Sequence, residues 1–353
     1  MHDQDITTAL AGQVREAAAT GRALRVRGGG SKDFYGRTPA GEPIEVAPHR
    51  GIVNHAPTEL VLTARAGTPL SEIEAVLAEH GQMLPFEPPR FGPAATLGGT
   101  IACNLSGPRR PYAGAARDLV LGTRVLNGRG EVLSFGGEVM KNVAGYDVSR
   151  LMAGALGTLG VLLEVSVKVL PAPEAELTLA QEAGPADALD RMHAWAARPL
   201  PVSATCGDGE RLYVRLSGAA RAVEAAARQL GGEPLPEAGR FWHAIREQEH
   251  GFFSGEGALW RLSVACAAPP IPLSGAWLYE WGGAQRWFRG GADPEAVRAA
   301  AAAAGGHATR FRGGRRDDVF HPLSAGLLTL HRRLKQAFDP AGVLNPGRMY
   351  GEL

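Results

Sequence analysis

Three consecutive glycines in RGGGSK, residues 27–32, stand where a chain could bind an anion. Ala23 to Arg27 read as a short strand. Glycines directly after a strand can turn several backbone N–H groups in one direction, which is the geometry of an anion-binding nest. Ser31 adds a hydroxyl and Lys32 adds a positive charge. We predict a phosphate-contacting loop here, in preference to the structural alternative of a hairpin turn.

A second set of glycines, Gly154, Gly157 and Gly160, separates a short helix from a strand. Asp147 can cap the helix, and from Val161 apolar residues recur at every second position, which is typical of a strand. A nicotinamide-type dinucleotide fingerprint has its glycines after a strand and before a helix. Because the order is reversed here, we exclude a Rossmann-type site and predict a turn whose backbone closely approaches another group.

The segment from Leu84 to Gly114 is long, poor in charge and rich in loop-forming residues. Loops of this length are usually functional or disordered, and its apolar residues argue against disorder. We predict an irregular segment that contacts a ligand through small and polar residues: Thr96, Gly98, Gly99, Thr100, Asn104, Ser106 and Gly107.

Length and composition limit the class of protein. The 353 residues allow about two or three domains, and the net charge of +1 argues against a nucleic-acid surface and a polybasic membrane anchor. We expect no signal peptide, and no apolar run approaches the ~18 residues that span a membrane. Cys103, Cys206 and Cys266 are too few and too distant for an iron–sulfur cluster, and such sparse cysteines indicate a reducing compartment.

The remaining patterns predict an α+β protein. Pro69–His80 favours a helix with Thr68 as its cap, and a hairpin follows with Asn127-Gly128 at its turn. Residues 172–318 show twice an order close to strand, helix, strand, strand, helix, which is most of a ferredoxin-like unit. Tryptophans of this region are interpreted as core and interface residues: Trp242, Trp260, Trp277, Trp281 and Trp287.

Several segments carry a resemblance to a known family. RGGGSKDFYG, TLGGTIACNLSGPRR and KNVAGYDVSRLMAGALGTLG resemble the FAD-binding domain of the vanillyl-alcohol oxidase/p-cresol methylhydroxylase flavoproteins. The C-terminal VFHPLSAGLLTLHRRLKQAFDPAGVLNPGRMY is similar to the end of the smaller FAD-binding subunits of bacterial glycolate oxidases. The resemblance implies a two-part FAD-binding domain of the p-cresol methylhydroxylase type with an inserted α+β cap domain of ferredoxin-like elements. The implied domains are 1–172, 173–318 as the cap, and 319–353 returning to the FAD domain.

The resemblance also implies which residues bind FAD. The first loop would surround the pyrophosphate, the second would lie near the pyrophosphate and the flavin, and the glycine turn would lie beside the adenine-ribose end. The implied residues are Arg27, Gly28, Gly29, Gly30, Ser31, Lys32, Thr96, Gly98, Gly99, Thr100, Asn104, Gly154, Gly157, Gly160, Val161, Asn345 and Arg348. In several relatives a histidine of the first loop attaches to the flavin, and because GGGSKD has none, we expect non-covalent FAD.

The implied function is that of an FAD-dependent 2-hydroxy-acid oxidoreductase subunit that takes part in oxidation of glycolate to glyoxylate. Its implied partners are a larger flavin subunit and an iron–sulfur subunit, and its implied location is the cytoplasm, at the inner membrane through those partners. We expect the chain to be inactive alone. Two alternatives stay open, a non-catalytic assembly subunit with structural FAD and a stand-alone D-lactate or 2-hydroxy-acid dehydrogenase.

No residue stands out as the catalytic base. A guanidinium would suit the carboxylate of a 2-hydroxy acid, which makes weak candidates of Arg109, Arg110 and Arg312, and His321 is a further one. Relatives that bind a divalent metal carry paired histidines around a GDG motif, whereas Asp208 lies in such a motif without flanking histidines. We therefore interpret Asp208 as a turn residue and expect no metal site.

Overall fold

A computed structural model describes residues 3–138 and 147–353. The chain divides into two compact units. Unit 1 comprises Met1–Leu105, Ala115–Ala172 and Pro322–Leu353, and unit 2 comprises Ser106–Gly114 and Pro173–His321. These units differ from the predicted domains at 106–114 and at 319–321, and the functional division into domains stays a prediction.

Helices and strands are numbered along the chain. In the described residues the strands are β1 Leu24–Arg27, β2 Glu42–Glu45, β3 Ile52–Ala56, β4 Val61–Arg65, β5 Gln82–Met83, β6 Val120–Leu126, β7 Val132–Gly136, β8 Val161–Lys168, β9 Leu170–Pro171, β10 Ala175–Glu182, β11 Val202–Gly207, β12 Arg211–Gly218, β13 Glu233–Pro234, β14 Leu259–Ser263, β15 Ala276–Glu280, β16 Gln285–Arg289 and β17 His307–Arg312. The α-helices of the same residues are α1 Thr7–Thr20, α2 Leu70–Glu79, α3 Leu97–Cys103, α4 Arg110–Ala113, α5 Ala116–Leu119, α6 Val148–Met152, α7 Pro185–Ala196, α8 Ala220–Leu230, α9 Ala238–Glu247, α10 Pro294–Ala303 and α11 Ala325–Phe338.

Unit 1 is built on an antiparallel sheet of order β3-β4-β8-β6-β7 and a parallel pair, β1 and β2. The predicted apolar face of β8 is present, because Val161, Leu163, Val165 and Val167 are fully buried. The alternation is incomplete, because Leu162 and Ser166 of the opposite face are buried as well. Val161, Leu163, Val165 and Val167 belong to one hydrophobic cluster with residues of α1 and α2. Burying each such side chain contributes roughly 1.5–3 kcal/mol relative to exposure, so this cluster stabilises the frame that carries both glycine segments.

Unit 2 contains one antiparallel sheet of order β13-β10-β12-β11-β15-β16-β14-β17. The first half has the predicted order β10, α7, β11, β12, α8, and the second half contains β14 to β17 with α10. Pairing of Cys206 with Glu280 and of Gly207 with Tyr279 joins the halves through β11 and β15. Each half has its own hydrophobic cluster.

The tryptophans of unit 2 are mainly core residues. Trp242, Trp260 and Trp287 are 5%, 1% and 4% exposed, and Trp277 and Trp281 are half-buried. The interpretation as core residues is confirmed for the first three. An interface role stays a prediction, for which the half-buried Trp277 and Trp281 are the better candidates.

Two local predictions need correction. The segment 84–114 is not wholly irregular, because it contains α3 and α4, and Thr96 caps α3 by accepting a hydrogen bond from the N–H of Gly99 at 3.3 Å. The hairpin of β6 and β7 is confirmed, but its turn is not of the Asn-Gly type, since the positive φ falls at Gly130. The side chain of Asn127 organises that turn by accepting from the N–H groups of Arg129 and Glu131.

Of the two helix caps predicted from the sequence, Asp147 is confirmed and Thr68 is wrong. Asp147 caps α6 through Oδ1, which accepts from the N–H of Arg150 at 3.0 Å, as expected. Thr68 does not cap α2, because its hydroxyl donates to the carbonyl oxygen of Gly51 and Pro69 takes the cap position. Residues 141–146 of the KNVAGYD motif lie outside the described residues.

Candidate cofactor-binding site

The loop after β1 presents unused backbone donors. The N–H groups of residues 28–31 donate no hydrogen bond to any acceptor within 3–138 and 147–353. Gly30 has a φ of +75°, a conformation that glycine adopts at little cost. These residues line a cavity. N–H groups that donate no hydrogen bond and belong to residues lining a cavity are available to bind an anion, and the nest that the three glycines predict would use them in this way.

Two buried cations line the same cavity. Lys32 is 6% exposed and Arg348 is 9% exposed. The ammonium of Lys32 donates to the carbonyl oxygen of Arg90 at 3.3 Å and lies 5.8 Å from the ring centroid of Phe91. Nη2 of Arg348 donates to the carbonyl oxygen of Lys32 at 3.4 Å. Buried cations favour an anionic ligand beside them, and a pyrophosphate would accept charge-assisted hydrogen bonds here.

Glycine is required in this loop because another chain segment lies against it. A Cβ on Gly28 would lie 2.7 Å from Oγ1 of Thr96, and a Cβ on Gly29 would overlap the carbonyl oxygen of Ala94. At Gly98 a Cβ would lie 2.6 Å from the Cβ of Ala66. The glycines therefore allow the first loop to lie close to residues 94–96, directly before α3, and allow α3 to lie close to Ala66. Residues of the first loop and of α3 then line the same cavity.

A second cavity adjoins the first. Val26, Gly28, Thr96, Gly99, Ala102, Leu156 and Asn345 line both cavities. The rest of its wall is largely apolar and includes Val46, Ala66, Met152, Val161 and Leu162. An anion-binding cavity joined to an apolar one fits FAD, which has a pyrophosphate centre and flat ring systems at its ends.

Asn345 ties three segments of the cavity wall together. Its Oδ1 accepts from the N–H of Val26 at 2.7 Å, and its Nδ2 donates to the carbonyl oxygen of Leu156 at 2.6 Å. Its own N–H donates to the carbonyl oxygen of Leu24 at 2.8 Å. A Cβ on Gly157 would lie 2.8 Å from this Nδ2, so the glycine turn must stay glycine for the amide to fit.

Most of the residues assigned to FAD by resemblance line the two cavities. Those residues are Gly28, Gly29, Gly30, Ser31, Lys32, Thr96, Gly98, Gly99, Gly157, Gly160, Val161, Asn345 and Arg348. Sequence reasoning missed the apolar part of the wall, including Val46, Ala66 and Met152, because such residues cannot be distinguished in a sequence from ordinary core residues.

Four residues assigned by resemblance support the wall without lining either cavity. Arg27 forms ion pairs with Asp33 and Glu45 at 3.3 and 3.4 Å. Oδ1 of Asn104 accepts from the N–H of Arg117, and the N–H of Gly154 donates to the carbonyl oxygen of Ile101. Thr100 is fully buried within α3. Their roles in FAD binding stay predictions.

All four catalytic candidates belong to unit 2, whereas both cavities are lined by residues of unit 1. Nη2 of Arg109 forms an ion pair with Oε1 of Glu176 at 2.5 Å. The guanidinium of Arg110 lies 4.4 Å from the ring centroid of Trp281, a cation–π contact. Both arginines thereby fasten the segment 106–114 within unit 2.

Arg312 and His321 are partly buried. Burial lowers the pKa of Arg312, and the charge of Arg289 acts in the same direction. Burial also lowers the pKa of His321, with a smaller contribution from Arg298. Nδ1 of His321 accepts from the N–H of Ala308 at 3.4 Å, so the ring is held by β17.

The GDG motif forms a turn between β11 and β12, as predicted. Oδ1 of Asp208 accepts from the N–H groups of Glu210 and Arg211, and Oδ2 accepts from the hydroxyl of Tyr213. Burial, together with the charge of Asp208, raises the pKa of Tyr213 to about 12.

Among the described residues no group of three or more His, Cys, Asp or Glu side chains could hold a metal ion. No helix in that same part of the chain is both long enough and apolar enough to cross a bilayer.

Comparison with known proteins agrees with this geometry. Residues 7–136 match a family model described as FAD binding domain, and residues 315–349 match one described as FAD linked oxidases, C-terminal domain. The chain is 51% identical over 353 residues, all of both chains, to the glycolate oxidase subunit GlcE of Escherichia coli.

Other similarities cover less of the sequence. The glycolate oxidase subunit GlcD of Bacillus subtilis is 36% identical over 120 residues, 34% of this chain and 25% of that protein. A D-lactate dehydrogenase of Anaerostipes hadrus is 31% identical over 140 residues, 39% of this chain and 29% of that protein. A solved alkyldihydroxyacetonephosphate synthase superposes with a TM-score of 0.65 at 16% identity, over 96% of this chain and 74% of that one.

The structural likeness supports the fold, an α+β FAD-binding domain of the p-cresol methylhydroxylase type with further α+β elements. The family models support FAD as the cofactor and an oxidoreductase role. With this match over its full length, the chain belongs to the GlcE family of FAD-binding oxidoreductase subunits.

Proposed function

We propose that the chain is the FAD-carrying subunit of a glycolate oxidase assembly, where it takes part in oxidation of glycolate to glyoxylate and passes electrons to partner subunits. The observation that carries this proposal is the 51% identity to GlcE over the whole chain. The proposed partners are a larger flavin subunit and an iron–sulfur subunit. The proposed location is the cytoplasm, at the inner membrane through these partners.

The residues of unit 1 would bind and orient the cofactor. The N–H groups of residues 28–31, with Lys32 and Arg348, would hold the pyrophosphate by charge-assisted hydrogen bonds. The apolar cavity beside the glycine turn would exclude water from the adenine-ribose end. Bound FAD supplies a two-electron acceptor, which matches the two electrons that an alcohol loses on oxidation to an aldehyde.

A specific observation favours a second candidate, an assembly subunit whose FAD is structural. Arg109, a candidate for the substrate carboxylate, is engaged in a short ion pair with Glu176. Its guanidinium would have to exchange this partner in order to bind substrate, which costs the ion pair. The stand-alone dehydrogenase is less favoured, because the D-lactate dehydrogenase of A. hadrus matches only 39% of this chain.

The isolated chain is expected to bind FAD but to reduce a dye with glycolate or D-lactate at well below about 1 per second, the low end for ordinary enzymes. The physical reason is that electrons must leave the chain's flavin through a partner. Steady-state dye reduction by the purified chain measures this. Faster turnover would show that the chain is a complete dehydrogenase and would overturn the subunit proposal.

Within the assembled complex the two subunit candidates differ in whether this chain's flavin is reduced. Glycolate added without oxygen should bleach the absorbance of all flavin if this chain takes part in electron transfer. Bleaching confined to the flavin of the larger subunit would support structural FAD instead.

The FAD is expected to be bound without a covalent link, because the first loop, GGGSKD, contains no histidine that could attach to the flavin. Acid precipitation should release all yellow colour into the supernatant. A fluorescent flavin band that stays with the protein on a denaturing gel would contradict this prediction.

A further inference from the structure

Lys335 of α11 is a buried lysine whose three donors all have acceptors. Its ammonium donates to Oδ2 of Asp339 at 2.7 Å, to the carbonyl oxygen of Thr158 at 2.8 Å and to the carbonyl oxygen of Leu344 at 2.7 Å. An ammonium has three donors, so this set satisfies it completely. Burying a charge is costly unless it is paired and hydrogen-bonded. Moving Asp339, Thr158 or Leu344 away from the ammonium would therefore cost free energy, which favours the positions that these three residues have.

The three acceptors come from three different segments of unit 1. Asp339 follows α11, Thr158 belongs to the glycine turn, and Leu344 belongs to the C-terminal segment. Asp339 strengthens the link to the C-terminal segment, since Oδ1 accepts from the N–H of Val343 and Oδ2 from the N–H of Leu344. Asp339 is 1% exposed, so this carboxylate is withdrawn from water.

The glycine turn and the C-terminal segment line the cofactor cavities through residues one or two positions away from Leu344 and Thr158. Asn345 directly follows Leu344 and bonds to Val26 and Leu156. Leu156 lies two residues before Thr158, and both Leu156 and Asn345 line both cavities. Lys335 and Asp339 line neither cavity, so any effect they have on a ligand must pass through the position of these neighbours.

We propose that Lys335 and Asp339 are positioning residues for FAD, which hold Asn345 and the glycine turn where both form the cofactor cavities. This inference rests on the assignment of FAD to the two cavities. Removing the ammonium leaves the carbonyl oxygens of Thr158 and Leu344 buried without their donor. The C-terminal segment and the turn then lose the link through Lys335 and keep the hydrogen bond from Asn345 to Leu156, so their relative position is less well fixed before FAD binds.

Lys335→Met is the direct test, with Arg333→Met as its matched control on the exposed side of the same helix. FAD is removed and titrated back while quenching of flavin fluorescence and visible circular dichroism are followed. We expect the Kd for FAD to rise at least about tenfold in Lys335→Met and to change less than about twofold in Arg333→Met. A purely structural role would lower the unfolding midpoint of the apoprotein but leave the Kd of the folded fraction and the dichroism unchanged.

Asp339→Asn is the second variant if Lys335→Met does not fold. It keeps the size of the side chain and one accepting oxygen, and it replaces the other oxygen by an NH2 donor, so it weakens the link between Lys335 and the C-terminal segment. In the wild-type protein, FAD binding should slow amide hydrogen exchange together at residues 154–158 and 343–345. An unchanged Kd in both folded variants, or protection of the glycine turn without protection of 343–345, would overturn the proposal.

Asn345→Ala distinguishes a failure of the positioning role of Lys335 and Asp339 from a failure of the assignment of FAD to the two cavities. If Asn345→Ala weakens FAD binding and Lys335→Met does not, only the positioning role fails. If Asn345→Ala leaves FAD binding unchanged, the cavities are not the FAD site and the assignment itself fails.

Discussion

Replacing Gly29 by alanine is expected to abolish FAD retention. The new Cβ would overlap the carbonyl oxygen of Ala94, which is backbone and cannot move aside alone. The loop 28–31 would therefore shift away from the segment that contains Ala94, and the residues that line the cavity would move with it. The proposed anion nest would be lost. We expect the Kd for FAD to rise at least about a hundredfold, or about 2.7 kcal/mol, measured by titration of the apoprotein.

Gly12→Ala is the matched control for this variant. Gly12 lies in α1, and a Cβ there would meet nothing within 4 Å. Because alanine is favoured over glycine in a helix by about 0.5–1 kcal/mol, the control should be slightly more stable and bind FAD like the wild type. A Gly29→Ala protein that purifies with a full complement of FAD would show that the loop does not form the site.

Alanine at Gly29 is a more selective change than aspartate. Aspartate at this position would also repel a phosphate by like charge, so its effect would have two causes. The structure adds a steric conflict with Ala94 that any side chain would create. The alanine variant tests the close backbone approach alone, and the sequence gives no indication of this contact because Ala94 lies 65 residues away along the chain.

Local patterns predicted the elements that present the site. The apolar face of β8, the cap at Asp147 and the strand before the first glycine loop depend on residues close together in sequence, and all three are present. α3 was missed because two glycines near its start weaken the helical pattern, although Thr96 provides the cap.

The sequence could not predict contacts that join distant segments. Val46 and Ala66 line the apolar cavity only because β1, β2 and the segment after β4 meet there. Lys335 lies in the run HRRLKQAF and reads as one of several exposed charges of an amphipathic helix, yet it is buried. Its burial follows from the path of residues 339–345, which no local pattern specifies.

Deleting residues 336–353 is expected to remove FAD binding and to destabilise unit 1. The deletion takes away Val343 and Leu344, which are buried in the main hydrophobic cluster, at a cost of roughly 1.5–3 kcal/mol each. It also removes Asp339 and so leaves the ammonium of Lys335 without its carboxylate. Together these losses are a large part of the ~5–15 kcal/mol that stabilises a typical domain.

The loss of FAD binding has a separate cause from the loss of stability. Asn345 and Arg348 both disappear, and with them one wall of the anion-binding cavity and the link from Val26 to the glycine turn. The ratio of flavin to protein after purification and the midpoint of urea unfolding measure the two effects. Removing only residues 351–353, which are largely exposed, is the control and should leave FAD binding nearly unchanged. A protein truncated at residue 335 that keeps wild-type FAD affinity would show that the C-terminal segment is no part of the cofactor site.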